Sequence, residues 1–359
     1  MGLDTASLDS AMLKTKIQGL VKSFGLPRLI IALFLLLLFI IAPFAGLNFF
    51  TGLSDTFNRF GMNAVLVLAM VPMIHSGCGL NFGLPLGIIS GLLGATLSLE
   101  FEFTGMASFL MAIVFSTPFA VILGYGYGVL LNKVKGGEMM IATYVGFSSV
   151  AFMCMMWLLL PYDNPSMVWG FSGEGLRTTI SLEGAYSGIL MNFLSLEIGH
   201  LKIPFGMFLF FALLAFLVWG FLKTKTGTAM TAVGSNPVFA TASGVSVDKM
   251  RTLSVVMSTW LGAVGIIVYQ QSFGFIQLYM SPFYMALPAV SAILLGGASV
   301  NKATITNVVI GTFLFQGILT MTPSVMNGLI QTDVSEVIRI IVSNGMILYA
   351  LTRKQEATR

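Results

Sequence analysis

The stretch from Leu29 to Ala45, LIIALFLLLLFIIAPFA, contains no charged residue. Such a run is stable where water is absent, because its side chains resemble lipid and a helix satisfies its backbone hydrogen bonds from within. Nine further apolar runs follow, near 60–77, 83–99, 105–131, 139–160, 204–222, 253–271, 283–299, 303–322 and 334–351. Ten segments of about 20 residues each nearly fill a chain of 359. The sequence therefore predicts an all-α integral membrane protein with about ten transmembrane helices and no room for an appended catalytic or nucleotide-binding domain. Only 9% of its residues are charged, against roughly 25% in a soluble domain, and the mean hydropathy is +0.92.

Charge sets the orientation. With residues 1–27 placed inside and the sides alternated, the interior segments collect most of the basic residues, among them Lys133, Lys135, Lys223, Lys225, Arg251, Lys302 and Arg353, which read as topology signals. Exterior segments and span ends collect Glu100, Glu102, Asp163, Glu174, Glu183 and Glu197. This is the positive-inside pattern, and it predicts cytoplasmic N and C termini. The net charge of +4 is spread between apolar runs rather than gathered in a stripe, which argues against a nucleic-acid partner and for the lipid bilayer.

Three parts follow. Residues 1–27 form a cytoplasmic segment, in which Leu8, Met12, Leu13, Ile17, Leu20 and Phe24 fall near helical spacing with lysines between them. It reads either as an amphipathic interfacial helix or as a solvated leader. Without an early apolar core it is not a cleavable signal, so the first span is expected to direct membrane insertion. Residues 28–351 form a single transmembrane domain and 352–359 a cytoplasmic tail. Two connections exceed turns: an extracytoplasmic loop, 161–203, with an amphipathic stretch near Leu182 to Leu196, and a polar cytoplasmic segment, 223–251, broken at Asn236-Pro237.

Ten spans divide into two five-helix halves, and an odd number in the first makes the second enter from the opposite side, giving inverted topology. Each half carries a broken junction at a comparable place: Ser76 to Pro85 (SGCGLNFGLP) in the first, Ser272-Phe273-Gly274 to Ser281-Pro282 in the second. Interrupted apolar segments at matching positions point to a transport path. Its candidate lining is His75, Asn81, Phe82, Gly83, Phe273 and Gly274. For His75 the competing reading is a hydrogen-bonded histidine at a helix end. Small residues such as Gly87, Gly91, Gly94, Ala292 and Gly296 are expected to let helices approach closely.

Catalysis is not expected. The histidines are His75 and His200, no carboxylate pair has helical spacing within a span, and no metal site is indicated. Cys78 and Cys154 lie in apolar segments and read as small core residues. Glu336 and Arg339, three apart, read as a structural ion pair. A secondary carrier or channel working alone would need charged or ion-coordinating groups in its spans, which are poor in them. It remains the alternative class.

The cytoplasmic segment Gly227-Thr228-Ala229-Met230-Thr231-Ala232-Val233-Gly234-Ser235-Asn236-Pro237, followed by Ala240, Ala242, Ser243-Gly244-Val245 and Val247-Asp248, resembles a motif of permease subunits of ABC importers. These importers serve ribose, other simple sugars and nucleosides, in a family that also includes the branched-chain amino-acid permeases. Ala292 to Ser299 (AILLGGAS), then Gly311-Thr312, is similar to a second block of that family. The Gly79 to Gly87 break matches its glycine-rich loop in position, although the sugar permeases usually read I-D-L-S-V-G where this chain has Leu80 to Pro85.

The resemblance implies a translocation subunit for a simple sugar or nucleoside in a bacterial plasma (inner) membrane. It pairs with a second permease copy or a paralogue and receives solute from an extracytoplasmic substrate-binding protein. It also implies that Gly227, Ala232, Gly234, Asn236, Pro237, Ser243, Gly244 and Asp248 couple the chain to a separate ATP-binding cassette subunit. That partner would hold the ATP and Mg, with no cofactor bound by this chain, in keeping with the absence of a G-x-x-x-x-G-K-[ST] loop from its sequence.

Overall fold

A computed structural model describes residues 26–169, 175–330 and 335–356. The expected interfacial segment 1–27 falls almost wholly outside the described residues, as do 170–174 and the side chain of Glu336, and with it the Glu336–Arg339 pair. The chain is 75% helical. Its helices are α1 (Leu26–Ile41), α2 (Phe49–Leu68), α3 (Met70–His75), α4 (Leu84–Glu100), α5 (Gly105–Lys133), α6 (Glu138–Leu159), α7 (Ile189–Asn192), α8 (Phe205–Lys223), α9 (Lys225–Ser235), α10 (Pro237–Ala242), α11 (Val247–Phe273), α12 (Ser281–Leu295), α13 (Ile305–Ile330) and α14 (Ser335–Glu356). A 3-10 turn, Ala42–Ala45, ends α1.

Among the described residues seven helical segments are long and apolar enough to cross a bilayer, against the ten expected: Arg28–Ala45, Phe49–His75, Gly105–Lys133, Glu138–Leu159, Phe205–Lys223, Val247–Phe273 and Ile305–Leu329. Two of the missing spans have a physical reason: Leu84–Glu100 and Ser281–Leu295, of 17 and 15 residues, follow the two broken junctions and are shorter than the roughly 20 that a full crossing takes. Of the 22-residue α14, the described apolar part is Val337–Leu348. The segment near 60–77 is in turn longer than expected, starting at Phe49, because Asn48 Oδ1 accepts from the Phe50 N–H at 2.9 Å and caps the helix start.

The middle of the molecule is α2–α3, α4, α11 and α13. In their most apolar 18-residue windows, 78% of the residues of Phe49–His75 are buried, against 22% in Glu138–Leu159 and 17% in Arg28–Ala45, so the latter two lie at the periphery of the chain. Lipid tails are as apolar as leucine, and helices therefore associate in a bilayer through close packing. The glycines supply it: a Cβ at Gly87 would meet the Thr259 carbonyl, one at Gly91 the Ala263 carbonyl, and one at Gly94 the Ala112 carbonyl and Ser116 N. These contacts draw α4 against α11 and α5. Gly124 and Gly128 bring α5 onto α11 at Val256 and Thr252. Trp157, Tyr186, Phe109 and Phe315 are the largest fully buried side chains.

Loop 161–203 has structure of its own. The stretch near Leu182 to Leu196 is a turn, the four-residue α7 and the start of a hairpin of β2 (Ser195–Ile198) with β3 (Leu201–Pro204). Before it, β1 (Thr179–Ser181) pairs antiparallel with β4 (Phe275–Gln277), Ile180 opposite Ile276. The loop is thereby stitched to the end of α11: Leu182 N donates to Gly274 O at 2.9 Å, and Leu190 N to Gln271 Oε1 at 3.0 Å. At its base Tyr162 lies 2.8 Å from Thr96 Oγ1. Burial pushes the Tyr162 hydroxyl above the usual tyrosine range and the Glu100 charge adds to this, while the Thr96 hydrogen bond opposes it.

Candidate coupling site and translocation path

The polar segment 223–251 owes its shape to the motif residues. Thr224 Oγ1 accepts from Gly227 N at 3.2 Å and starts α9. Gly227 has no room for a side chain, since a Cβ would meet the Phe221 carbonyl and Leu222. Ala232 O receives the Asn236 N–H at 3.0 Å, which closes α9. Asn236 is extended, φ −154° and ψ 96°, and its Oδ1 accepts from Phe239 N at 3.0 Å while Pro237 opens α10. Proline is tolerated there because a first-turn N–H has no helical partner. Ser243 follows the last turn, and Gly244, at φ +79°, reverses the chain, its N–H meeting Thr241 O at 3.0 Å. A left-handed residue at this place is what glycine provides without strain. Asp248 pairs with Lys135 at 3.0 Å, but both are more than half exposed, so the pair contributes little.

The segment touches the first broken junction directly. Gly234 lies against the backbone of His75 and Gly77, close enough that a Cβ on Gly234 would overlap the His75 carbonyl oxygen. His75 adds side-chain ties: Nε2 donates to the Ala303 carbonyl at 2.8 Å, and Nδ1 is 3.3 Å from Thr231 Oγ1. One residue thus joins the end of α3, the helix α9 and the turn before α13. This geometry is that of a hydrogen-bonded histidine at a helix end.

Asn81, expected to line a path, is fully buried. Its Nδ2 donates to Ser258 Oγ at 2.7 Å, its Oδ1 accepts from Tyr127 OH at 3.3 Å, and Ser258 in turn donates to the Ala69 carbonyl at 2.6 Å. Nearby, Pro72 lacks the N–H that would meet the Leu68 carbonyl, at the join of α2 and α3. Gly83 packs under the Tyr127 ring and Phe82 is half-buried. Phe273 and Gly274 lie at the other end of the molecule. Helix α11 runs antiparallel to α2–α3, with Ser254 bonded to Ser76, Ser258 to Ala69, and Gly265 against Leu66. The structure therefore brings His75 to the coupling residues and separates both from Phe273, which is exposed and stacks near Tyr269 and Phe275.

Several contributors escaped the sequence reading. Arg251, taken there as a topology signal, is buried: its guanidinium donates to Cys78 Sγ at 3.2 Å and pairs with Glu138 at 2.5 Å. It ties the start of α11 to α6 and to the first junction. Cys78 is thereby a hydrogen-bond acceptor as well as a small buried residue. Val238 and Phe239 project from α10 at 80% and 65% exposure. Adjacent apolar side chains within the polar segment 223–251 were signal enough to find them. Among the described residues no three His, Cys, Asp or Glu side chains converge as a metal site would require.

An apolar helical bundle with a motif-shaped polar elbow is the architecture to be placed among known proteins. Residues 28–350 match the family described as the permease component of branched-chain amino acid transport systems, and the chain belongs to it. It is a transport component and not an enzyme; ATP hydrolysis in such systems belongs to a separate subunit, and a substrate-binding protein is a further partner. Among similar proteins, the autoinducer 2 import system permease protein LsrC of Enterobacter sp. (strain 638) is 26% identical over 256 residues, 68% of each chain. The nucleoside ABC transporter permease protein NupB of Lactococcus lactis subsp. cremoris (strain MG1363) is 23% identical over 229 residues, 62% of this chain and 60% of its own length. No solved structure is significantly similar.

Proposed function

We propose that this chain forms the translocation path of an ATP-driven importer for a small polar solute of the simple-sugar or nucleoside kind. The carrying observation is the contact of Gly234 with His75 and Gly77. A helix beside an exposed apolar pair, Val238 and Phe239, bears without an intermediary on the broken junction between α3 and α4. The names of the two relatives, an autoinducer 2 import permease and a nucleoside permease, support the solute class.

In this reading α10 seats on the ATP-binding cassette subunit, whose closure displaces α9 and hence the junction Ser76 to Gly83. Counting the shorter apolar helices Leu84–Glu100, Ser281–Leu295 and Val337–Leu348 as spans gives ten, in two inverted five-helix halves with both termini cytoplasmic. Two pairs of elements support the inverted halves: segments of 27 residues, Phe49–His75 and Val247–Phe273, each end at a broken junction followed by a helix of 17 or 15 residues. A second permease copy or paralogue completes the path in a bacterial plasma membrane. The extracytoplasmic loop 161–203 and the end of α13 receive the binding protein, and ATP and Mg stay in the partner ATPase. The test is copurification from native membrane with the tag on this chain. An ATP-binding subunit with vanadate-sensitive hydrolysis is expected; recovery of the chain alone, competent for uptake in vesicles without ATP, would replace the reading with a secondary carrier.

A further inference from the structure

A cavity of about 540 Å³ opens at the cytoplasmic end between α8, α9 and the start of α13. Its floor is Val71, His75, Thr231 and Ala303, the junction described above, and its wall includes Leu222 and Ile305. Its rim is polar and exposed: Lys223, Thr228, Thr304 and Thr306. No Asp or Glu is among its lining residues, so the one formal charge at the mouth is that of Lys223. The Thr228 and Thr306 hydroxyls take no protein partner among the described residues.

The outer face of α8 fixes the depth of this mouth. Phe216 stacks on Trp219 with centroids 5.9 Å apart, and Lys223 Nζ lies 5.9 Å from the Trp219 ring centre. An aromatic pair followed by a lysine one turn on is the pattern that sits at the headgroup level, with the ring in the interface and the ammonium in the phosphate layer. A cavity at that depth, with a cation and free hydroxyls at the rim and apolar side chains further in, matches the order of groups in a phospholipid: phosphate outermost, then ester and acyl chain.

We propose that this cavity binds a phosphate group, carried by the headgroup of a phospholipid of the cytoplasmic leaflet. Lys223 provides the charge, Thr228 and Thr306 donate to phosphate oxygens, and Leu222 and Ile305 pack on the first methylenes. The proposal rests on the chain lying in a membrane with this end on the cytoplasmic side, as proposed above, and not on the solute or the ATPase partner.

The test is native mass spectrometry of the full chain in detergent, titrated with phosphatidylglycerol, with diacylglycerol of the same acyl chains, and with inorganic phosphate. Phosphatidylglycerol adducts should form where diacylglycerol adducts do not. Lys223→Gln should weaken retention about fivefold, the effect of one basic residue at an anionic surface, and Thr228→Val should weaken it independently. Lys225→Gln, two residues along but outside the cavity, should leave it unchanged. Equal retention by Lys223→Gln and the unaltered chain, or equal binding of diacylglycerol, would overturn the site. Displacement of the lipid by millimolar inorganic phosphate would overturn the lipid as the source of the phosphate. Because the polar side chains replaced are all exposed, the melting temperature without lipid should not change; the shift that phosphatidylglycerol adds should be lost in Lys223→Gln.

Discussion

Replacing Gly234 with alanine adds one methyl group at the contact between α9 and the first junction. The new Cβ would overlap the His75 carbonyl oxygen and lie 2.9 Å from Gly77 N and 3.0 Å from His75 C. All three are backbone atoms, so no side chain can rotate away, and relief requires the helix and the loop to part by about 1 Å to reach ordinary van der Waals separation. Overpacking of this kind costs roughly 1–3 kcal/mol, while alanine recovers up to about 1 kcal/mol of helix propensity over glycine. The net loss, roughly 0–2 kcal/mol, leaves the chain folded but its junction displaced. If that contact carries the ATPase stroke, losing a typical coupling energy of about 1–3 kcal/mol lowers uptake roughly 5- to 150-fold. The assay is uptake into reconstituted vesicles loaded with ATP beside ATP hydrolysis of the same preparation. Gly220→Ala, where nothing lies within 4 Å of the added Cβ, is the control. Wild-type uptake per ATP in Gly234→Ala would refute the reasoning.

Removing one partner of the Arg251–Glu138 pair should be costlier than removing both. With side chains 8% and 18% exposed, Glu138→Gln should lose about 3–5 kcal/mol because it strands the deeper charge. Arg251→Met should lose less, since Glu138 keeps its bond from Gly136 N, and the double variant less than Glu138→Gln, all read from unfolding in mixed micelles. Asn81→Ala should cost about 1–3 kcal/mol by leaving the Tyr127 hydroxyl buried without its acceptor, seen as a lower melting temperature; an unchanged one would mean that water replaces the amide. Phe239→Ala should change stability by less than about 0.5 kcal/mol, as befits an exposed site, yet weaken copurification of the ATPase subunit at least about tenfold if it anchors that interface.

Where the sequence was informative, local chemistry was decisive. Asn236-Pro237 and Ser243-Gly244 mark a helix start and a helix end wherever they occur, and the structure has a cap and a left-handed reversal at those positions. The glycines of α4 announced close approach for the same local reason. What the sequence did not disclose depends on partners distant in the chain. Asn81 read as a wetted loop residue, because neither Tyr127 nor Ser258, 46 and 177 positions away, can be assigned to it without the packing of α5 and α11. Arg251 looked like one more interior cation until α6 brought Glu138 to it. The strand pairing of Thr179–Ser181 with Phe275–Gln277 joins segments too short to show a period, so the outer loop was legible only as polar and long.

The antiparallel packing of Phe49–His75 on Val247–Phe273 has a mechanical consequence. At 1.5 Å per residue, 27 residues make a strut about 40 Å long. The first strut is held near its His75 end by α9, and the second near its Phe273 end, at the other end of the molecule, by β1 and the Gly274 carbonyl. Bound together at Ser254, Ser258 and Gly265, the two can move only as one beam. A tilt of about 5° about the middle of a beam that long carries its two ends roughly 1.7 Å in opposite directions. A push on the inner clamp that narrows one side therefore widens the other, and the molecule needs no separate messenger between its faces.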